Sequence, residues 1–207
     1  MIHLYGVVDG LDELPAGLER RRLDGLELVF AHEPTPPSPE VSREAVLRHA
    51  QVVEELAGRS SAILPAQLGR AFRDEAELAE AVREQAPQLS RALQRVRGCV
   101  EFGVRAVADE QPPEADAASG ADYMRARLEE VRRQDALVAQ VHEPLDRLAR
   151  ASTLHRGHGE VRGAYLVARD DVARFEDAAA QLERTPGATV VCTGPWAPYS
   201  FAGERPS

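Results

Sequence analysis

The sequence predicts an α+β fold of two small α/β-sandwich domains, the C-terminal one ferredoxin-like, with a long helix following the linker between them. Short apolar runs alternate with stretches whose apolar residues recur every three or four positions, the signature of strands interleaved with amphipathic helices. Residues 109–120, DEQPPEADAASG, are acidic, proline-bearing and almost free of large apolar side chains, so they cannot offset the entropy of ordering. A length of 207 residues suits one large domain or two small ones. Together these place an N-terminal domain at 1–108, a linker at 109–120 and a C-terminal domain at 121–207.

Ile2 to Val8 is a β-rich apolar run closed by the turn signal Asp9-Gly10, and it reads as a strand. A Pro- and Gly-containing loop leads to a second apolar run, Leu26 to Ala31, which PTPPSP ends because proline neither donates to a ladder nor continues a helix. Ser42 can cap the helix that follows, with Val46, Ala50, Val53 and Ala57 on the packed face and Gly58 at its end. SSAILP reads as a short buried strand, and AQLGRAF as an ordered connection to Asp74, which starts the next helix. Leu78, Ala81 and Val82, then Leu89, Leu93 and Val96, keep helical spacing on both sides of Pro87, where a kink or restart is expected. After Gly98, CVEFGVRAV alternates as a strand, with Val100, Phe102 and Val104 on one face and Cys99, Glu101 and Arg105 on the other. Glu101 is expected to pair with Arg105.

Beyond the linker, Tyr123 to Arg150 carries Met124, Leu128, Val131, Val138, Val141, Leu145 and Leu148 at spacings that keep one stripe on a helix. A continuous helix of roughly 30 residues would be about 45 Å long, so it should project, bridge the halves or break at Pro144. HRGHG then reads as a solvated loop, Val161 to Ala168 as a strand, and Asp170 as the cap of a helix through Phe175, Ala179 and Leu182. Ala188 to Thr193 reads as the last strand.

Composition narrows the function. With 43% hydrophobic and 29% charged residues the chain is ordinary globular material, not a disordered or fibrous one. All 25 basic residues are arginine, and 34 Asp and Glu outweigh them for a net charge of -9, which argues against a nucleic-acid partner. No apolar run approaches the ~18 residues of a membrane span, and no signal-peptide pattern opens the chain, so a cytoplasmic location without a membrane partner is expected. Cys99 and Cys192 lie in separate apolar runs and read as small buried hydrophobes.

Catalytic patterns are sparse. His155 and His158 stand at a spacing that could share a metal, but no third ligand is near, so neither a metal nor another cofactor is expected. RGHGEVRG precedes a strand, whereas phosphate-cradling glycine loops follow one. Ser60-Ser61 has no adjacent base, and no catalytic residue is assigned. Glu101 is the one carboxylate inside an apolar strand, where burial could make it a general acid or base. Glu129-Glu130 and Arg132-Arg133 read as a solvated helical face.

The most distinctive segment is the C-terminal TGPWAPYSF, residues 193–201, which gathers Trp196, Tyr199 and Phe201 between stiffening prolines. Such a cluster either plugs its own domain's core or anchors a partner, since Trp and Tyr dominate interface hot spots. The segment resembles the GPWPPYSF signature near the end of gas vesicle GvpF/GvpL proteins, with Ala197 in place of a proline. Tyr5-Gly6-Val7-Val8, the block from His49 through ILPAQLGRAF, GCVEFGVRA, ADYMRARLEE and AYLVARDDVARF are similar to the family in the same order, so the resemblance spans residues 2 to 202. The ILPAQLGRAF block departs from the family's LPLRFGT wording at Ala66, Gln67, Leu68 and Arg70.

The resemblance implies a two-domain, non-catalytic accessory protein of gas vesicle formation, located in the cytoplasm or at the vesicle. Its implied partners are the small hydrophobic shell protein and other gas vesicle accessory proteins. Trp196, Tyr199 and Phe201 are the candidate contacts, with the long helix as a second possibility. The alternatives are a small-molecule enzyme of the ferredoxin-like α+β class with a pocket around Glu101, or a minor structural component of the vesicle wall.

Overall fold

A computed structural model describes residues 1–32, 42–109, 119–157, 159–184 and 186–203. The chain forms two compact units, one of residues 1–100 with 196–207 and one of residues 101–195. The division does not follow the order of the sequence. Residues 101–108, expected in the N-terminal domain, belong to the second unit, and 196–207, expected in the C-terminal domain, belong to the first. The second unit is thus an insertion in the first, entered at 100/101 and left at 195/196. Most of the expected linker lies outside the described residues.

In the first unit, strands β1 (Ile2–Asp9), β2 (Glu19–Leu23), β3 (Leu26–His32), β4 (Ala62–Pro65) and the short β5 (Ala71–Phe72) form one sheet with helices α1 (Arg43–Arg59) and α2 (Glu75–Val96). The order is β2-β3-β1-β4, with β5 also paired to β1, and the pairings are antiparallel. β1 is buried at seven of its eight positions, because α1 and α2 both pack against it. Its register with β3 slips between Leu4 and Gly6, a bulge that sets Tyr5 apart from the ladder. β2 falls where a loop was expected. Its ERRRL sequence has no apolar alternation, yet it is joined to β3 by Asp24-Gly25, both at positive φ (47° and 82°), a tight hairpin turn.

Both predicted caps in this unit form: Ser42 Oγ accepts from the Ala45 N–H at 3.1 Å and Asp74 from the Glu77 N–H at 2.9 Å. The buried face of α1 is His49, Val53, Leu56 and Ala57, so Val46 lies outside it and is exposed. α2 neither stops nor restarts at Pro87 but runs unbroken through it. Pro87 and Arg83 are both exposed, so water can serve the carbonyl that the proline leaves without an N–H.

In the second unit, β6 (Cys99–Ala108), α3 (Gly120–Leu137), β7 (Ala151–Gly157), β8 (Glu160–Ala168), α5 (Val172–Leu182) and β9 (Ala188–Trp196) follow the β-α-β-β-α-β connectivity of a ferredoxin-like unit. α4 (Glu143–Asp146) extends α3, and the sheet order is β7-β8-β6-β9. β7 takes in residues 155–157 of the expected HRGHG loop and pairs with β8 along its whole length. Asp170 does not cap α5: it lies in a 3-10 turn, Arg169–Asp171, and Asp171 takes the cap position without a side-chain bond.

The long helix does not break at Pro144. A π turn, Val138–His142, joins α3 to α4, with the Glu143 N–H reaching the Val138 carbonyl five residues back. This turn absorbs one extra residue, so side chains beyond it are rotated relative to those before it. The single expected stripe is divided between core and surface: Val138, Val141 and Leu145 are buried, while Met124, Leu128 and Val131 are exposed. Inside the unit Phe102 stacks on Phe175 at 4.8 Å, and Tyr165 lies against Phe175 at 5.4 Å with its hydroxyl 2.9 Å from His142 Nδ1. Burial pushes the Tyr165 phenol well above its ordinary pKa.

Candidate protein-interaction site

The C-terminal aromatic segment is built from its neighbours outward. Gly194 ends the regular part of β9 at φ +130°, and a Cβ there would stand 2.8 Å from the Glu101 carbonyl oxygen, so only glycine permits the approach of this strand to β6. The Gly194-Pro195 bond is cis. Ala197 then enters the first unit's cluster of Tyr5, Val8, Leu11, Val29, Val53, Leu56, Ala57 and Ile63. Its N–H donates to a Glu54 carboxylate oxygen at 3.1 Å. A 3-10 turn, Tyr199–Phe201, follows, and the Phe201 carbonyl accepts from the Arg95 guanidinium at 2.9 Å.

These fastenings divide the three candidates. Phe201 is only 4% exposed and Ala197 1%, whereas Trp196 is 49% and Tyr199 39% exposed. Buried and exposed aromatics coexist in one segment. Phe201 belongs to the core, and it holds Trp196 and Tyr199 at the surface on a backbone that prolines and hydrogen bonds have already ordered. Burial, and then the nearby Glu54 charge, pushes the Tyr199 phenol up to about 12, so it stays neutral and amphipathic at physiological pH.

The residues weighed for chemistry are dispersed. Glu101 is buried, and Arg105 pairs with Glu160 of β8 at 2.8 Å. His155 is exposed on β7, and His158 lies outside the described residues. Among the described residues no three His, Cys, Asp or Glu side chains are placed to hold a metal ion, and no helix is long and apolar enough to cross a membrane. A cleft of about 460 Å³ in the second unit is lined by Ala108, Asp109, Arg133, Ala136, Leu137, Gln140 and Gly187, not by Glu101.

Two polar constellations escaped the sequence. Glu130, expected on a solvated face, is buried and accepts from the Gly159 N–H at 2.8 Å, from Gln134 at 2.8 Å and from Arg133 at 3.0 Å. Gln134 also donates to the Gly157 carbonyl at 2.6 Å, so the pair clasps the β7–β8 turn. The Gly159 N–H above all, with Arg133 and Gln134, holds the Glu130 carboxyl below its ordinary pKa. The spacing Glu130, Gln134, Leu137 was the available signal. In the first unit His3 Nε2 meets His49 Nδ1 at 3.0 Å, His49 Nε2 meets the Ala66 carbonyl at 2.9 Å, and Tyr5 stacks on His49 at 5.3 Å.

Comparison with known proteins agrees along the whole chain. The family model described as "Gas vesicle synthesis protein GvpL/GvpF" matches residues 1–203. Gas vesicle protein L of Streptomyces sp. (strain CB03234) is 37% identical over 166 residues, covering 68% of this chain and 62% of that protein. Gas vesicle protein F of Haloferax mediterranei is 31% identical over 161 residues, covering 75% of this chain and 65% of that protein. The alignment therefore spans less than two thirds of the length of either curated relative. The crystal structure of GvpF from Anabaena sp. PCC7120 superposes with a TM-score of 0.82 at 15% identity, covering 99% of this chain and 96% of that one. That of GvpF from Microcystis aeruginosa gives 0.81 at 16% identity, covering 98% and 99%. At these identities the two structures establish a shared fold.

Proposed function

The chain belongs to the gas vesicle synthesis protein GvpL/GvpF family, and from that premise we propose that it acts without catalysis, binding the hydrophobic shell protein or other gas vesicle proteins during vesicle formation. The observation that supports this reading most directly is Trp196, half exposed beside Tyr199 on a segment pinned by the buried Ala197 and Phe201. A pre-ordered aromatic on a rigid support loses little entropy on binding, and Trp and Tyr carry much of the energy at interfaces. Such a protein works in the cytoplasm and at the nascent vesicle, keeping apolar subunits dispersed or delivering them to the wall.

The test is a pull-down of purified shell protein by the intact chain and by Trp196→Ala. Truncating a central aromatic anchor weakens binding by about tenfold or more. If Trp196→Ala retains full binding and an unchanged circular dichroism spectrum, the anchor assignment fails.

A further inference from the structure

Met124, Leu128 and Val131 are 37% to 65% exposed on α3 and follow one another within about two turns along one stripe of its outward face. The helix is anchored on its other side, through Glu130 and Leu137. Its apolar stripe has a border of one sign. At 100° per residue Arg127 stands on one flank and Arg132 on the other, both exposed, while Arg125, beside Arg132, is engaged by Asp122 at 3.0 Å and Glu129 lies farther round. Asp135, at the end of the stripe, is engaged by Arg156 at 2.6 Å.

We infer that this face of α3 docks an amphipathic helix of another protein whose apolar side is bordered by carboxylates. The argument is charge complementarity. A second copy of α3 laid on the first, parallel or antiparallel, would set arginine border against arginine border, a repulsive arrangement. A flat anionic surface would attract the same border locally, but the chain as a whole carries a net charge of -9 and is repelled by such a surface. A helix with a Leu-type seam flanked by Glu or Asp satisfies the stripe and its rim together. The inference stands on α3 alone and involves neither Trp196 nor the shell protein, so its failure and that of the anchor assignment are separable.

The experiment uses the full-length protein and two synthetic helical peptides that share a Leu seam, one bordered by Glu and one by Lys, with binding followed by titration calorimetry. The Glu-bordered peptide is expected to bind at least tenfold more tightly than the Lys-bordered one. The double variant Arg127→Glu/Arg132→Glu should reverse that preference, and Leu128→Asp should abolish binding of both; these surface positions leave the circular dichroism spectrum unchanged. Equal binding of the two peptides, or of neither, overturns the inference. So does a concentration-dependent dimer in sedimentation that Leu128→Asp dissolves, and so does binding to phosphatidylserine vesicles in place of the acidic-bordered peptide.

Discussion

His49 shows how much one ring can do inside a small core. With Nε2 facing the Ala66 carbonyl, that nitrogen must carry the proton, which leaves Nδ1 to accept from His3. Burial, together with the neighbouring His3, lowers the His49 pKa below 6.5 although the Ala66 bond works the other way. The unfolded chain therefore binds the proton more readily than the folded one. Stability from this group is complete above pH 6.5 and declines as pH falls from there through the lowered folded value. The expected slope is at most about 1.4 kcal/mol per pH unit, read as the shift in urea midpoint between pH 7.5 and 5.5. His49→Gln, whose amide can reach the same carbonyl but does not titrate, should flatten that slope; an unchanged slope would assign the acid sensitivity elsewhere. At this scale the sequence was least informative. A histidine in register with Val53 and Leu56, or a glutamate in register with Leu137, is visible as periodicity, but its partners come from other elements.

Secondary structure was far more legible, because caps and apolar spacing act within a few residues. Ser42, Asp74, the apolar runs of β1 and β8 and the alternation along β6 announced their elements correctly. The misses share one cause: β2 and β7 lack an apolar pattern of their own and form because β3 and β8 offer them backbone partners. The long helix misled differently: its stripe is continuous in sequence, yet Met124, Leu128 and Val131 are exposed where Val138, Val141 and Leu145 are buried. Pro87 supplies a prediction at this scale. Because α2 continues through it, Pro87→Ala restores an N–H to a helix whose geometry is already in place, and should stabilise the protein by about 1 to 3 kcal/mol. Thermal denaturation would show a higher midpoint, and a lower one would mean that the ring itself contributes packing.

At the scale of the whole molecule, the chain leaves the first unit after Val100 and returns to it only at Trp196. A chain stopped after Pro195 loses Ala197 from the cluster around Val53 and Leu56, together with Phe201 and the Arg95 and Glu54 hydrogen bonds. Hydrogen exchange should then accelerate in β1, β4 and α1 while β7 and β8 keep their protection; a uniform loss in both units would contradict this. The C-terminal motif was legible as a family hallmark, yet its return to the first unit was not, because nothing in TGPWAPYSF specifies which sheet it meets. That return also sets an order of events during synthesis. A ribosome that has completed the first hundred residues must add about 95 more before the missing piece exists, on the order of 5 to 20 s at roughly 5 to 20 residues per second. Throughout that interval the first unit lacks Ala197 and Phe201, and residues translated after the whole of the second unit are the ones that complete its core.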